Sequence, residues 1–216
     1  MSTPLALHYG VRSPVLRLIS QSLTNHIADN PSAALALCDA LWLDQYFECK
    51  WLAAAILGKI SLKESALLLD RVKKWLAEKP EEQLVDAILE KGCLGLRVRH
   101  SEDLVRIIGE WLGAEDIFFR RCGLKGLQSL ASNPAFDNLP LCFRLLDDVI
   151  RGAFPNLRQE LIDVLAVLAY RSPQETAYFL KQAKENAPGQ ETAMLVRRLL
   201  SEFPEEIAQQ LKQMYR

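Results

Sequence analysis

The sequence predicts an all-α protein, a right-handed α-solenoid of about five to six helix pairs, and three observations carry that expectation. Leu and Ala together number 61 against 25 for Val, Ile and Thr combined, so helix formers outweigh β-branched residues. No segment alternates apolar and polar residues for long, whereas apolar residues recur at spacings of three and four along the chain. Similar segments also return every 35 to 39 residues, the span of two helices with their turns.

The expected elements follow in chain order, about twelve helices of roughly 10–17 residues. Residues 1–29 cap the N-terminal end. In 30–60, Pro31 opens a helix whose Leu35, Leu37, Ala40 and Leu41 lead into Phe47, Trp51, Ala54 and Ala55, and Gly58 marks the stop. In 61–96, Ser61-Leu-Lys-Glu64 reads as a capping box ahead of Leu67, Leu68, Val72 and Trp75; Pro80 opens the second helix and Gly92 ends it. The unit 101–132 breaks at Gly113, and 138–171 runs from Pro140 through the stop at Gly152 and Pro155 to Leu157, Leu161, Val164 and Leu168. In 173–201, Ser172-Pro-Gln-Glu175 is a second capping box and Pro173 and Pro188 are first helical residues. Pro204 opens a C-terminal cap, 204–216, so that the whole of 1–216 reads as a single repeat domain.

Composition narrows the function classes. Half the residues are hydrophobic, and 26 Lys plus Arg face 27 Asp plus Glu for a net charge of −1, which excludes a disordered chain. Charges interrupt every apolar run before the roughly 18 residues of a membrane span, and Met1–Gly10 lacks a basic segment followed by an apolar core, so a cytoplasmic, monomeric protein with no membrane partner is expected. The five cysteines (Cys38, Cys49, Cys93, Cys122, Cys142) sit in apolar stretches and read as buried thiols. Three scattered histidines give no metal-ligand spacing, and no glycine-rich phosphate loop is present, so neither metal nor cofactor is expected. His100 beside Arg99 reads as a surface histidine, and the paired carboxylates Glu81-Glu82, Asp147-Asp148 and Glu205-Glu206 as helix-start or solvated groups. Trp42 and Trp51 read as core between helices, and Trp75 as the edge of the core.

The repeat brings charges into register. Segments open at Tyr46-Phe-Glu-Cys-Lys50, Gln83-Leu-Val-Asp86, Phe118-Phe-Arg-Arg121 and Asn156-Leu-Arg158, placing Lys50, Asp86, Arg121 and Arg158 at separations of 36, 35 and 37, with Arg197 following 39 further on. Stacked second helices would align these residues near their N-terminal turns. Two readings stay open: a structural ladder of ion pairs that fixes stacking, or a groove lining that meets an anionic ligand. Arg97, Arg99, Arg106, Arg120, Arg121 and Lys125 add a basic cluster, but Glu102, Asp103, Glu110, Glu115 and Asp116 are interleaved, and such a run reads as a solvated face.

Four stretches carry a family resemblance: Tyr9-Gly-Val-Arg-Ser-Pro-Val-Leu-Arg17; Leu41-Trp-Leu-Asp-Gln-Tyr-Phe-Glu48 with Lys50 and Ala53-Ala-Ala; Trp111 followed by Phe118-Phe-Arg-Arg121; and Leu165 to Leu180 with Ser172-Pro173-Gln and Phe179. In order and spacing, over residues 5–200, the sequence resembles a divergent member of the HEAT-like-repeat DNA alkylation repair proteins, the AlkD-type DNA glycosylases. The resemblance implies a solenoid that holds duplex DNA in a basic cleft and, in active members, excision of cationic alkylated bases. It assigns the catalytic aspartate to Asp86 and the catalytic arginine to Arg121; if the solenoid binds DNA, the contacts are expected from Lys50, Arg158 and Arg197 of the charge register and from Arg120 beside them. The tryptophan expected four residues before the aspartate is Glu82, and the later one falls near Asp163; no tryptophan lies between Trp75 and Trp111 or after Trp111. Acidic side chains there would remove cation–π attraction and repel phosphates. Three functions follow: a DNA-binding family member with weak, altered or no glycosylase chemistry; a protein-interaction scaffold with a protein partner; or an active glycosylase using Glu82, Asp86 or Asp163 in place of the aromatics.

Overall fold

The computed structural model describes residues 6–152, 155–186 and 190–215. The protein is all-α. Among the described residues the sole β feature is an isolated bridge between Leu7 and Tyr46, and no helix is long and apolar enough to cross a membrane. The chain divides into two compact units, Met1–Arg106 and Ile107–Arg216.

The first unit contains α1 (Ser13–Ser22), α2 (Thr24–Asp29), α3 (Pro31–Trp42), α4 (Phe47–Leu57), α5 (Ala66–Ala77), α6 (Glu82–Asp86) and α7 (Leu94–Arg99), with α8 (Ser101–Leu112) beginning at its end. Its centre is α4, where Trp51 and every residue from Ala53 to Leu57 are buried. Three consecutive alanines keep the helix thin, so α3 packs on one side and the segment after α6 on another. That approach reaches van der Waals limits at the end of α4, where a Cβ on Gly58 would lie 1.8 Å from the Lys91 carbonyl oxygen. Helices α3 and α5 are joined by stacked Trp42 and Trp75 rings, 4.4 Å between centroids. Arg71 forks onto Asp39 at 2.6 and 2.8 Å, and the Trp42 indole donates to the Glu78 carboxylate at 3.0 Å.

Residues 7–11 strap onto the start of α4. Leu7 N–H donates to the Gln45 carbonyl and Phe47 N–H to the Leu7 carbonyl, Tyr9 stacks on Tyr46 at 3.7 Å, and His8 stacks on Phe47 at 5.0 Å. Glu48, only 4% exposed, accepts from the backbone N–H groups of Tyr9, Gly10 and Val11 at 3.0, 2.9 and 3.1 Å. Gly10 makes this cradle possible by turning through φ +76°, a region closed to most side chains.

The second unit takes the end of α8, then α9 (Ile117–Ala131), α10 (Leu139–Arg151), a short 3₁₀ turn (Pro155–Leu157), α11 (Arg158–Arg171), α12 (Pro173–Asn186), α13 (Gln190–Leu199) and α14 (Glu205–Met214). Here α11 is central, packing against α9, α12 and α13 through Leu161, Val164, Leu165 and Leu168. Gly123 and Gly126 leave room for Leu112 and Ile108 against α9. Arg171, in the last turn of α11, gathers the carbonyls of Ala131, Asn133 and Phe136 at 2.7–3.0 Å and so holds the α9–α10 loop. The Tyr215 hydroxyl donates to the Leu180 carbonyl at 2.6 Å and fastens the end of α14 to α12.

Several local expectations meet the structure unevenly. Pro31 and Pro173 are first helical residues, Pro140 is the second of α10, and Pro204 immediately precedes α14; Pro188 lies outside the described residues. Ser172 and Glu175 do meet, the hydroxyl donating to the carboxylate at 3.0 Å. Ser61-Glu64 is not a helix start, because α5 begins at Ala66 and the hydroxyl that is engaged there is that of Ser65, donating to Asp103 at 2.5 Å. All four tryptophans are core, at 2–8% exposure, and Trp75 is the most buried of them. Cys38, Cys93, Cys122 and Cys142 are buried and Cys49 half-buried, all as free thiols; burial pushes the Cys38, Cys93 and Cys122 thiols up to about 12.

Burial opposes ionisation of Glu48, but the N–H groups of Tyr9, Val11 and Gly10 outweigh it and hold the carboxyl below the usual carboxylate range. Glu48→Gln is expected to cost about 1.5–3 kcal/mol at neutral pH, the worth of hydrogen bonds to a charged group. Because the folded pKa is depressed, that stability is present above the ordinary glutamate value of about 4.3 and is lost as pH falls through the lowered folded value. Urea unfolding of both proteins from neutral pH down to about pH 3 should therefore show the two stabilities converging in acid.

Candidate functional site

The residues placed in register by the repeat occupy these positions. Lys50 lies in the first turns of α4, half-buried, with its Nζ 5.1 Å above the Trp42 ring, a contact worth about 0.5–1 kcal/mol. Asp86 is the last residue of α6, half-buried, at the point where the helix widens. Residues Ala87–Gly92 continue as a π-helical segment, with Cys93 N–H donating five residues back to the Ile88 carbonyl. Arg97 clamps that segment, donating to the Leu89 carbonyl at 2.8 Å and the Glu90 carbonyl at 2.5 Å.

In the second unit, Asp116 caps α9 by accepting from Phe118 N–H at 2.9 Å, which starts the helix that carries Arg120 and Arg121. The two arginines diverge. Arg120 turns back to the Ala114 carbonyl at 2.5 Å, whereas Arg121 reaches α11, its Nε donating to Glu160 at 2.5 Å and Nη2 to the Asn156 carbonyl at 3.1 Å. Arg158, which opens α11, repeats the arrangement on α13: Nε and Nη2 fork onto Glu191 at 2.6–3.0 Å. Arg197 departs from the register. It stands exposed in the last turn of α13 rather than near its start.

Within this unit the ladder is thus an alternation of base and acid, Arg121 to Glu160 and Arg158 to Glu191, running α9 to α11 to α13. The acids were not singled out from the sequence, although the period contains them: Glu160 follows Arg121 by 39 residues and Glu191 follows Arg158 by 33. Asp163, the expected position of the later tryptophan, instead accepts from Gln159 within its own helix at 2.9 Å. Glu160 is the acidic residue of α11 that meets Arg121. Glu82, at the earlier tryptophan position, is exposed in the first turn of α6.

The basic run is solvated in part: Arg99, Arg106, Glu102, Glu110 and Glu115 are exposed, whereas Arg97, Arg120, Arg121 and Lys125 are half-buried. Arg97 is spent on the π segment, Arg99 donates to the Ile60 carbonyl at 2.9 Å, and Arg106 pairs with Asp103 at 3.4 Å. His100, expected at the surface, is half-buried, with Nε2 3.0 Å from the Leu62 carbonyl. Arg97 and Arg99 thus satisfy backbone carbonyls where helical segments end. Among the described residues no group of three or more His, Cys, Asp or Glu could hold a metal ion.

Set against protein-family models, residues 6–194 match the model described as DNA alkylation repair enzyme. No curated protein and no solved structure matches the chain.

Side-chain exposure separates the two rungs: Glu160 is 13% exposed, whereas Arg158 and Glu191 are 35% and 39% exposed. A double-mutant cycle on Arg158 and Glu191 should give a coupling of about 0.2–1 kcal/mol, as for exposed pairs. The Arg121–Glu160 cycle should give a larger value by the same urea unfolding measurement, since its carboxylate is more fully removed from water.

Proposed function

The chain belongs to the DNA alkylation repair enzyme family, and from that premise we propose that it is a DNA-binding protein of a single HEAT-like repeat domain that does not excise cationic alkylated bases. The observation that carries this reading is the burial of all four tryptophans, none more than 8% exposed. An enzyme that releases a cationic base by the family's route needs indole faces open to the base or its sugar, because the ring quadrupole stabilises positive charge there. Here the indoles fill the core, Glu82 and Asp163 stand at the two expected sites, and Glu160, on the same helix as Asp163, meets Arg121. Asp86 and Arg121 remain as the counterparts of the family's aspartate and arginine. Lys50, Arg120, Arg158 and Arg197 are the further cations proposed for the phosphate backbone, acting in the cytoplasm.

The scaffold reading has one observation in its favour. Between α10 and α12 lies an apolar groove lined by Pro140, Phe143, Tyr178 and Phe179 and edged by Gln174 and Gln182, and Tyr178 is 64% exposed. A protein partner would use that side of the second unit rather than the ladder.

Fluorescence anisotropy with a labelled duplex, with and without a cationic methylated base, tests the proposal. Saturable binding is expected, with log affinity falling against log salt by about 0.9 per phosphate contact. Base release should not exceed the uncatalysed rate. Release above that rate, abolished by Asp86→Asn, would establish the glycosylase reading instead; no binding at low salt would leave the scaffold.

A further inference from the structure

Resting on the DNA-binding reading, we propose that Glu160 and Glu191 are latches that occupy the phosphate-binding forks of Arg121 and Arg158, so that the nucleic-acid backbone must displace a carboxylate at each rung before the arginine can engage it. A guanidinium presents its N–H groups in a planar fork that fits a carboxylate and a phosphate with the same geometry. Arg158 shows the bidentate form, with both Nε and Nη2 on Glu191 at 2.6–3.0 Å. Arg121 gives Nε to Glu160 and Nη2 to a backbone carbonyl. Both arginine side chains remain partly open to solvent, at 40% and 35% exposure, which leaves room for an external oxyanion to approach the pairs.

A purely structural ladder would not require this openness, and the fold does have closed examples: Arg171 and Arg97 are committed to backbone carbonyls that no ligand could replace without unfolding the loop they hold. The rungs differ because their acceptors are side chains, free to swing away once the arginine is taken. Latching also accounts for a family arginine whose charge is cancelled on the spot. Arg121 and Arg158 contribute little attraction at a distance and act only after contact.

The test is anisotropy with an undamaged labelled duplex across a salt series, on the full chain, for the wild type, Glu160→Gln, Glu191→Gln and the double variant. Release of each arginine is expected to tighten binding about two- to five-fold, the worth of a partly exposed ion pair, with the salt slope little changed because the same phosphates are contacted in every bound complex. The Glu160→Gln gain should vanish in an Arg121→Ala background; a gain that persists there is bulk charge and overturns the latch. Unchanged or weakened binding by folded variants, with the wild type still binding, overturns the latch and leaves the DNA-binding reading intact. No binding by any of the four proteins at low salt overturns both. Glu191, more exposed than Glu160, carries the test alone if Glu160→Gln fails to fold.

Discussion

The enclosure of α4 is the constraint on which the first unit depends. A helix with almost no solvent face can place polar groups only at its two ends, and both ends are then crowded with chain that needs satisfying. At the start, the strap of residues 7–11 brings three backbone N–H groups against α4, and the buried Glu48 carboxylate answers all three. At the far end, Gly58 lets the Lys91 carbonyl approach, and Arg99 crosses to the Ile60 carbonyl. Lys59 likewise donates to the Ser20 carbonyl at 2.6 Å. The second unit follows the same rule, with Arg171 at the end of α11 and Lys184 bonded to the Met214 carbonyl. Much of the chain's positive charge is therefore consumed by carbonyls at helix ends, which follows from packing apolar helices against one another.

This accounting decides how the near-neutral composition bears on DNA. A chain with 26 basic residues could still present a strongly positive face, but Arg71, Arg97, Arg99, Arg120 and Arg171 are all committed within the fold. Those left on the ladder are balanced by Glu160 and Glu191. On the proposed reading, affinity for a backbone would come from short-range replacement of one acceptor by another rather than from a long-range field, which favours contacts made late in docking.

Much of the fold was legible because it is written in periods. Leu and Ala at spacings of three and four predicted the helices, and glycine and proline placed the breaks at Gly58, Gly113 and Gly152. What escaped depends on contacts between residues far apart in sequence. Ser61-Glu64 has the spacing of a capping box, yet the helix begins at Ala66, where Ser65 is held by Asp103 from α8. The π segment after Asp86 has no local signature; it is stabilised by Arg97 from the next helix. Of the site, Lys50, Asp86, Arg121 and Arg158 were visible as a register of charge. The partners of Arg121 and Arg158 were not, because acids at repeat spacing look in sequence like ordinary solvated residues, and only the stacking of α9, α11 and α13 turns Glu160 and Glu191 towards an arginine.

The carboxylate that Arg121 meets on α11 differs from an aromatic ring in sign as well as in shape. An arginine against an aromatic face keeps its full charge and gains a surface on which a cationic base or sugar can rest. An arginine against Glu160 at 2.5 Å forms a locally neutral pair, which exerts little field on an approaching phosphate or cationic substituent. The fold need not alter for this to happen, since a glutamate on α11 satisfies the guanidinium and stitches α9 to α11 while doing so. The two ion pairs thus have a structural role of their own, joining α9 to α11 and α11 to α13 whatever the second unit binds.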